Sequence, residues 1–290
     1  MILYAVNVSM RQGVLYDSAF YSSQLEGSLN SAKQVLPLVQ EWIYPNSVVD
    51  VGCGTGAWLS VWQELGIRDY LGIDGQYVER QRLLIPPETF LAKNLVEPFR
   101  LNRKFDLAMS LEVAEHLPPA SADSFVESLL QLSDVILFSA AIPFQGGTGH
   151  LNEQWTGYWV KRFEQRGYVA IDCLRRRVWN DPNVEPWYSQ NALLFIKSDC
   201  LEDYPRLPRL GLEASSMPPL EMVHPKAYQS SLGYYTEPLK SELARSQAEL
   251  IQCQQALVTA QSEIAAMQTS KFWRLRTHWM QLKQRIKTIS

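Results

Sequence analysis

Short apolar runs, each closed by glycine, an acid or proline, recur along the first two hundred residues of this chain. The run at 47–51 is Ser-Val-Val-Asp-Val. Gly52, Gly54 and Gly56 follow it, and Ala57, Trp58, Leu59, Val61, Trp62 and Leu65 then recur at helical spacing. This is the pattern of a buried strand, a tight turn and a helix. Comparable runs occupy 70–74, 89–95, 105–112, 133–142, 168–178 and 191–197, with a helical stretch at 155–166 before the last two. Strands that are apolar throughout and alternate with helices predict an α/β, doubly wound, mostly parallel sheet of seven strands.

The pattern changes after residue 198. Pro205, Pro208, Pro218, Pro219, Pro225 and Pro238 interrupt residues 199–238, which reads as an extended linker unable to keep a helix. Tyr204, Leu207, Leu210 and Tyr228 are its candidates for wrapping the domain. Over 239–269 a heptad takes over. Leu243, Leu250, Leu257 and Ile264 form one series, and Leu239, Ser246, Cys253, Ala260 and Met267 the weaker companion. A coiled coil and a homo-oligomer through 239–267 are expected; an amphipathic helix folded back on its own domain is the alternative. Residues 270–290 hold Lys271, Arg274, Arg276, Lys283, Arg285 and Lys287, no acid, and interleaved Phe272, Trp273, Leu275, Trp279, Met280, Leu282 and Ile286. Such a basic amphipathic tail suits an anionic membrane surface, ahead of nucleic acid or a plain solvated helix end.

The glycine turn carries the chemistry. Gly52, Gly54 and Gly56 allow the sharp turn and leave the main chain open to a ligand. Asp50 precedes them at the strand's carboxyl end, where open α/β sheets place ligands. The loose pattern Gly52-x-Gly54-x-x-Ala57 also admits a dinucleotide, but a carboxylate at Asp50 would repel a pyrophosphate. The string Asp50-Val-Gly-Cys-Gly-Thr-Gly56 resembles the first motif of class I S-adenosylmethionine-dependent methyltransferases. The resemblance spans roughly residues 16–197 and implies a Rossmann-like fold with S-adenosyl-L-methionine as cofactor. It assigns Asp50, Gly52, Cys53, Gly54, Gly56, Asp74, Gly75, Asn94, Leu95, Ser110 and Leu111 to the cofactor. Asp74 ends the second strand and takes the ribose hydroxyls. Asn94 stands where the family often carries an Asp facing adenine.

The block Glu112-Val-Ala-Glu115-His116-Leu-Pro matches the family's fourth motif. His116 is the candidate catalytic base, since an unperturbed imidazole titrates near neutrality, and His150 follows the fifth strand toward the same pocket. Trp155, Trp179, Trp187 and Tyr188 are candidate walls for an acceptor. Glu112, Glu115, His116 and His150 also resemble the metal set of small-RNA 2′-O-methyltransferases and, in part, of quinone-pathway O-methyltransferases. The expectation is nevertheless that no metal is used. The acceptor expected is an oxygen on a glycan or glycolipid intermediate. That rests on the resemblance of residues 270–276 to tails of bacterial surface-polysaccharide glycosyltransferases, and on the methyltransferase-plus-coiled-coil layout of O-antigen chain-terminating enzymes. A non-catalytic scaffold acting through the coiled coil is the rival from another class.

Composition adds little beyond this. Hydrophobic residues are 46% and charged residues 20%, ordinary for a globular chain, and the net charge is −3. Cys53, Cys173, Cys200 and Cys253 are scattered without metal or disulfide spacing, which points to a reducing cytoplasm. Neither a basic leader with a cleavage pattern nor an apolar run near ~20 residues is evident, so a soluble protein, attached at most peripherally to the inner membrane surface, is expected.

Overall fold

The computed structural model describes residues 18–208 and 221–287, the side chains of 18–24, 286 and 287 excepted. It divides the chain into one unit through Ser231 and a helical unit from Leu232.

The first unit is a seven-stranded sheet with helices on its faces. Helix α1 (Ser18–Ile43) leads into β1 (Ser47–Val51), α2 (Ala57–Glu64) and β2 (Asp69–Asp74). Then come β3 (Phe90–Ala92), β4 (Leu107–Leu111), α3 (Ala122–Leu132) and β5 (Val135–Ser139). The unit closes with α4 (Thr156–Glu164), β6 (Tyr168–Ile171), α5 (Arg175–Val178), α6 (Pro186–Asn191) and β7 (Leu193–Lys197). The order β3-β2-β1-β4-β5-β7-β6 is parallel except for β7, which is antiparallel to both β5 and β6. The expected Rossmann-like fold is the one observed. Its order reverses beside β1, so β1 and β4 diverge into different crossovers and leave a crevice at their carboxyl ends.

Two apolar layers hold the sheet. On one face α1 and α2 bury Leu36, Val39, Leu59 and Trp62 against Val48 and Met109. On the other, α3 and α4 bury Phe125, Leu129, Trp159 and Phe163 against Val49, Ile136 and Phe195. Helix α1 lies outside the strand pattern; its signal is the three- and four-residue spacing of Ala32, Val35, Leu36, Val39 and Trp42, all buried.

Several expected boundaries shift for local reasons. The strand expected at 89–95 is only Phe90–Ala92, because Pro87–Thr89 forms a 3₁₀ turn and Asn94 closes an Asx turn, the Val96 N–H donating to its Oδ1 at 3.1 Å. The strand expected at 168–178 stops at Ile171. Arg175 then turns back as part of α5 to meet Asp172 at 2.7 Å, both side chains essentially inaccessible, and that i,i+3 pairing needs a helical turn.

The linker reading of 199–238 is corrected in part. Leu207 is buried in the core and Tyr204 packs on it, whereas Tyr228 stays exposed; Leu210 lies outside the described residues. Ser198–Asp203 is a 3₁₀ helix, and helix α7 (Pro225–Thr269) already includes 225–238. Pro225 at the first helical position forfeits no intrahelical bond. Pro238 forfeits one, in an exposed stretch where water can take the freed carbonyl. Helix α8 (Lys271–Lys287) ends the described chain. Among the described residues no helix is long and apolar enough to cross a membrane.

The buried Asp172–Arg175 pair yields a stability prediction. Asp172→Ala removes the counter-charge from a guanidinium inside the fold that also donates to the Gln190 carbonyl at 3.3 Å, and denaturant melts should show a loss of about 3–5 kcal/mol. Asp172→Asn, which keeps an acceptor, should lose less.

Candidate functional site

The β1–α2 turn is shaped by its glycines and pinned by one carboxylate. Gly52, Gly54 and Gly56 adopt φ of +85°, +54° and +87°, a region that side-chain-bearing residues rarely enter. A Cβ on Gly52 would strike Val113, and one on Gly56 would press on Ile85, whereas one on Gly54 would meet nothing. Gly54 therefore faces open space at the crevice. Asp74, at the end of β2, accepts the Gly54 N–H at 2.6 Å on Oδ2, and on Oδ1 the Gly75 N–H at 2.6 Å and the Tyr77 hydroxyl at 2.5 Å. The Gly52 and Cys53 N–H groups donate to the Ile73 carbonyl at 2.7 and 3.2 Å. Tyr77 was not legible as a site residue; its only sequence signal is an aromatic hydroxyl three residues beyond the acid.

Asp50 lies between Gly72 of β2 and Met109 of β4, 3% exposed. Burial, aided by the charge on Asp74, pushes its carboxyl up to about 8. Cys53 is buried with a free thiol, and desolvation followed by the Asp50 and Asp74 charges raises its pKa, so it offers packing rather than a thiolate. Ser110 is fully buried with its hydroxyl lacking a hydrogen-bond partner, and Leu111 is buried at the end of β4. Leu95 is buried under the sheet. Asn94 is exposed, with its amide donating to Glu97 at 3.0 Å and its carbonyl oxygen accepting the Val96 N–H of the Asx turn.

Beyond β4 the chain reverses through Glu112, a non-glycine residue at φ +54°. Its carboxylate accepts Gln145 Nε2 at 2.7 Å and Asn191 Nδ2 at 3.1 Å, and burial raises its pKa despite these donors. The 3₁₀ turn Ala114–His116 follows. Glu115 is fully buried and neither side-chain oxygen has a hydrogen-bond partner. Desolvation, then the nearby Glu112, holds its carboxyl well above the ordinary value of 4.5. The Glu115 carbonyl accepts the N–H groups of Leu151 and Asn152 at 2.7 and 2.9 Å, which docks the β5–α4 loop on this turn.

That loop brings His150 to His116, ring centroids 4.8 Å apart and edge to face. His150 Nδ1 lies 2.8 Å from Glu153 Oε1, and Glu153 is itself fixed by the N–H groups of Phe144 and Gly146 at 2.8 and 2.9 Å. Gly147 packs directly under His150 Nε2, where a Cβ would not fit. His116 is exposed; burial of part of its ring and the neighbouring His150 lower its pKa from 6.5. One donor atom from each of Glu115, His116 and His150 lies within 4.8 Å of the others, a spacing that suits a divalent ion. Glu112 does not join this set because the two amides hold it elsewhere. Of the expected aromatic walls, Tyr188 is buried edge-on to Trp58, Trp187 packs on the core, Trp179 lies against His224 with the rings tilted by 55°, and Trp155 alone stands exposed.

A family model described as a methyltransferase domain matches residues 23–179, more than half of the chain. The chain belongs to that methyltransferase family. It is an S-adenosyl-L-methionine-dependent methyltransferase, and the cofactor expected from the glycine motif is its cofactor. A comparison with curated proteins gives no match. Solved structures with a similar fold include the methyltransferase domain of a bacterial Hen1, 18% identical with a TM-score of 0.44, covering 58% of this chain and 98% of that one. Another is CalS10, an amino pentose methyltransferase from Micromonospora echinaspora, at 14% and 0.47, covering 63% and 98%. A third is magnesium protoporphyrin IX methyltransferase from Synechocystis, at 17% and 0.43, covering 59% and 84%.

The buried acids of this methyltransferase dictate its stability profile. A carboxyl whose folded pKa lies above its unfolded value contributes fully below the unfolded value and loses that contribution as pH rises through the folded one. For Asp50 the window runs from 3.8 to about 8. Wild-type melting temperature should therefore fall as pH rises across it, and Asp50→Asn with Glu115→Gln should flatten the decline. A parallel slope in the double variant contradicts the assignment of both groups.

Proposed function

We propose that this enzyme methylates an oxygen of a glycan or glycolipid intermediate, with His116 as the base. The observation that carries an oxygen acceptor is His116 itself: exposed beyond the end of β4, neutral at physiological pH, and steadied by a second imidazole that Glu153 fixes. The open face of Gly54 and the uncompensated acid Asp50 fit a ligand with an amino group and a sulfonium. In this reading Gly52, Cys53, Gly54 and Gly56 carry the cofactor along their main chain. Asp50 meets its amino group, Asp74 and Gly75 its ribose, and Ser110 and Leu111 flank the methyl-donating end. When bound, the cofactor supplies a methyl group on a positively charged sulfur, already activated for in-line displacement. The protein's part is to align the acceptor hydroxyl, which lowers the barrier by proximity, and to take its proton on the His116 ring as the oxygen–carbon bond forms. His150 orients His116 across the ring contact. The carbohydrate class is supported by the resemblance of residues 270–276 to polysaccharide-enzyme tails and by exposed Trp155, an aromatic face of the kind sugars stack on.

Helix α7 supports self-association. Leu243, Leu250, Leu257 and Ile264 recur every seven residues and all stand exposed in the single chain, a seam that a second copy would bury.

A second reading is favoured by the orphaned Glu115 carboxylate. Glu115, His116 and His150 would hold a divalent cation, which would polarise an acceptor hydroxyl and make His116 a ligand rather than a base. Titration with Mn(II), followed by electron paramagnetic resonance of the free ion, separates the two. Under the base reading the ion stays free. Stoichiometric uptake that Glu115→Gln abolishes would establish the metal instead.

Cofactor binding provides the main test. Loading a cation beside Asp50 should drive off its proton near pH 7, so calorimetric titration with S-adenosylmethionine should show an enthalpy that depends on the buffer's ionisation heat. Asp50→Asn should lose that dependence. Asp74→Ala, deprived of charge-assisted acceptors, should bind about 1.5–3 kcal/mol more weakly. Unchanged affinity in both variants would refute the assignment.

A further inference from the structure

Helix α8 differs from the helix before it in charge, register and face. Ser270 separates them: its N–H donates to the Met267 carbonyl at 3.1 Å, and its Oγ accepts the Trp273 N–H at 3.2 Å, capping a new helix. Phe272, Leu275, Trp279 and Leu282 are spaced by three and four residues, so at about 100° per residue they share a stripe about 80° wide. All four stand more than half exposed. Arg276 and Lys283 lie along one edge of this stripe and Lys271, Arg274 and Arg285 along the other. Lys283 Nζ sits 4.2 Å from the Trp279 ring centroid, a cation at the stripe's border. The helix holds no acid.

A second copy is a poor occupant for this stripe. Carried forward by sevens from Ile264 and Met267, the seam of α7 arrives at Lys271 and Arg274. The apolar stripe of α8 begins one position later, so a continued coiled coil would bury cations and leave the stripe outside. It would also crowd two acid-free helices together. An apolar stripe bordered on both sides by cations complements a surface that is apolar inside and negative outside.

We propose that α8 is a docking helix for an anionic lipid surface, lying in the interface with Phe272, Leu275, Trp279 and Leu282 facing the acyl region and the flanking Lys and Arg among the headgroups. The proposal is independent of the acceptor and of the base.

The test is vesicle co-sedimentation of the full-length protein. Vesicles of phosphatidylcholine with about one-third phosphatidylglycerol should bind it at low salt and release it as ionic strength rises through the range where the Debye length shrinks from about 10 to 3 Å. Pure phosphatidylcholine should bind it far less. Each basic residue near such a surface contributes about fivefold, so Arg274→Gln/Arg276→Gln/Lys283→Gln/Arg285→Gln should weaken binding at least a hundredfold. Phe272→Ser/Trp279→Ser, which keeps every charge, should also weaken it, and that effect distinguishes insertion from a purely ionic contact. Both variants should retain S-adenosylmethionine affinity and the wild-type sedimentation coefficient. Equal binding to neutral and anionic vesicles would overturn the proposal. So would a change of oligomer size in the Phe272/Trp279 variant without loss of vesicle binding, which assigns the stripe to a second copy. Release from vesicles by single-stranded RNA at equimolar charge assigns it to nucleic acid.

Discussion

The Asp74 carboxylate holds the active end of this molecule together. Its two oxygens bind the Gly54 N–H, the Gly75 N–H and the Tyr77 hydroxyl, so one side chain at the end of β2 fixes the turn leaving β1 and its own turn as well. Backbone donors gathered on one carboxylate are a strong restraint, because each bond is charge-assisted. The left-handed glycines of the β1–α2 turn are kept in place by this restraint and by the Ile73 carbonyl. Asp50, buried beside them, feels the same charge as a penalty. Burial is the larger cause of that penalty and the Asp74 charge the smaller.

The second half of the site depends on a different kind of support. Glu115 faces His116 and His150 with no donor on its oxygens, while its backbone carbonyl anchors the loop that carries His150. The loop is therefore tied to the Glu115 turn by its main chain. Glu153 serves the same end, since two backbone N–H groups settle its position before it settles the imidazole. The two turns stand side by side at the carboxyl ends of the adjacent, paired strands β1 and β4.

What the sequence displays and what it hides follow from range. The glycine turn, Asp50 and Asp74 are legible because strand, turn and acid are contiguous or one βα unit apart. The strand pattern is equally legible, since a run apolar on both faces needs no partner to be recognised. Contacts between distant segments are not. Gln145 and Asn191 capture Glu112 across 33 and 79 residues, which no local spacing announces. The Arg175–Asp172 pair defeats the expectation of a long sixth strand, because a buried guanidinium reads from sequence as a surface residue. Trp187 and Tyr188 look like sugar-binding aromatics and prove to be packing. Helix propensity misleads in the other direction at Pro238, where a long exposed helix tolerates what a short one would not.

Glu112 ends β4 in the left-handed region, a conformation that costs an ordinary residue on the order of 1 kcal/mol. Only a few side chains tolerate that geometry, and only an acceptor answers the two amides that meet it here. The position is therefore constrained twice, by its dihedrals and by its partners, and the constraints conflict. Glycine would satisfy the backbone and abandon Gln145 and Asn191; a β-branched residue would do neither. Asparagine and aspartate are the residues closest to meeting both conditions. Related chains that vary at this corner should draw from that narrow set, and a departure from it should coincide with altered residues at 145 and 191, the three positions drifting as one unit.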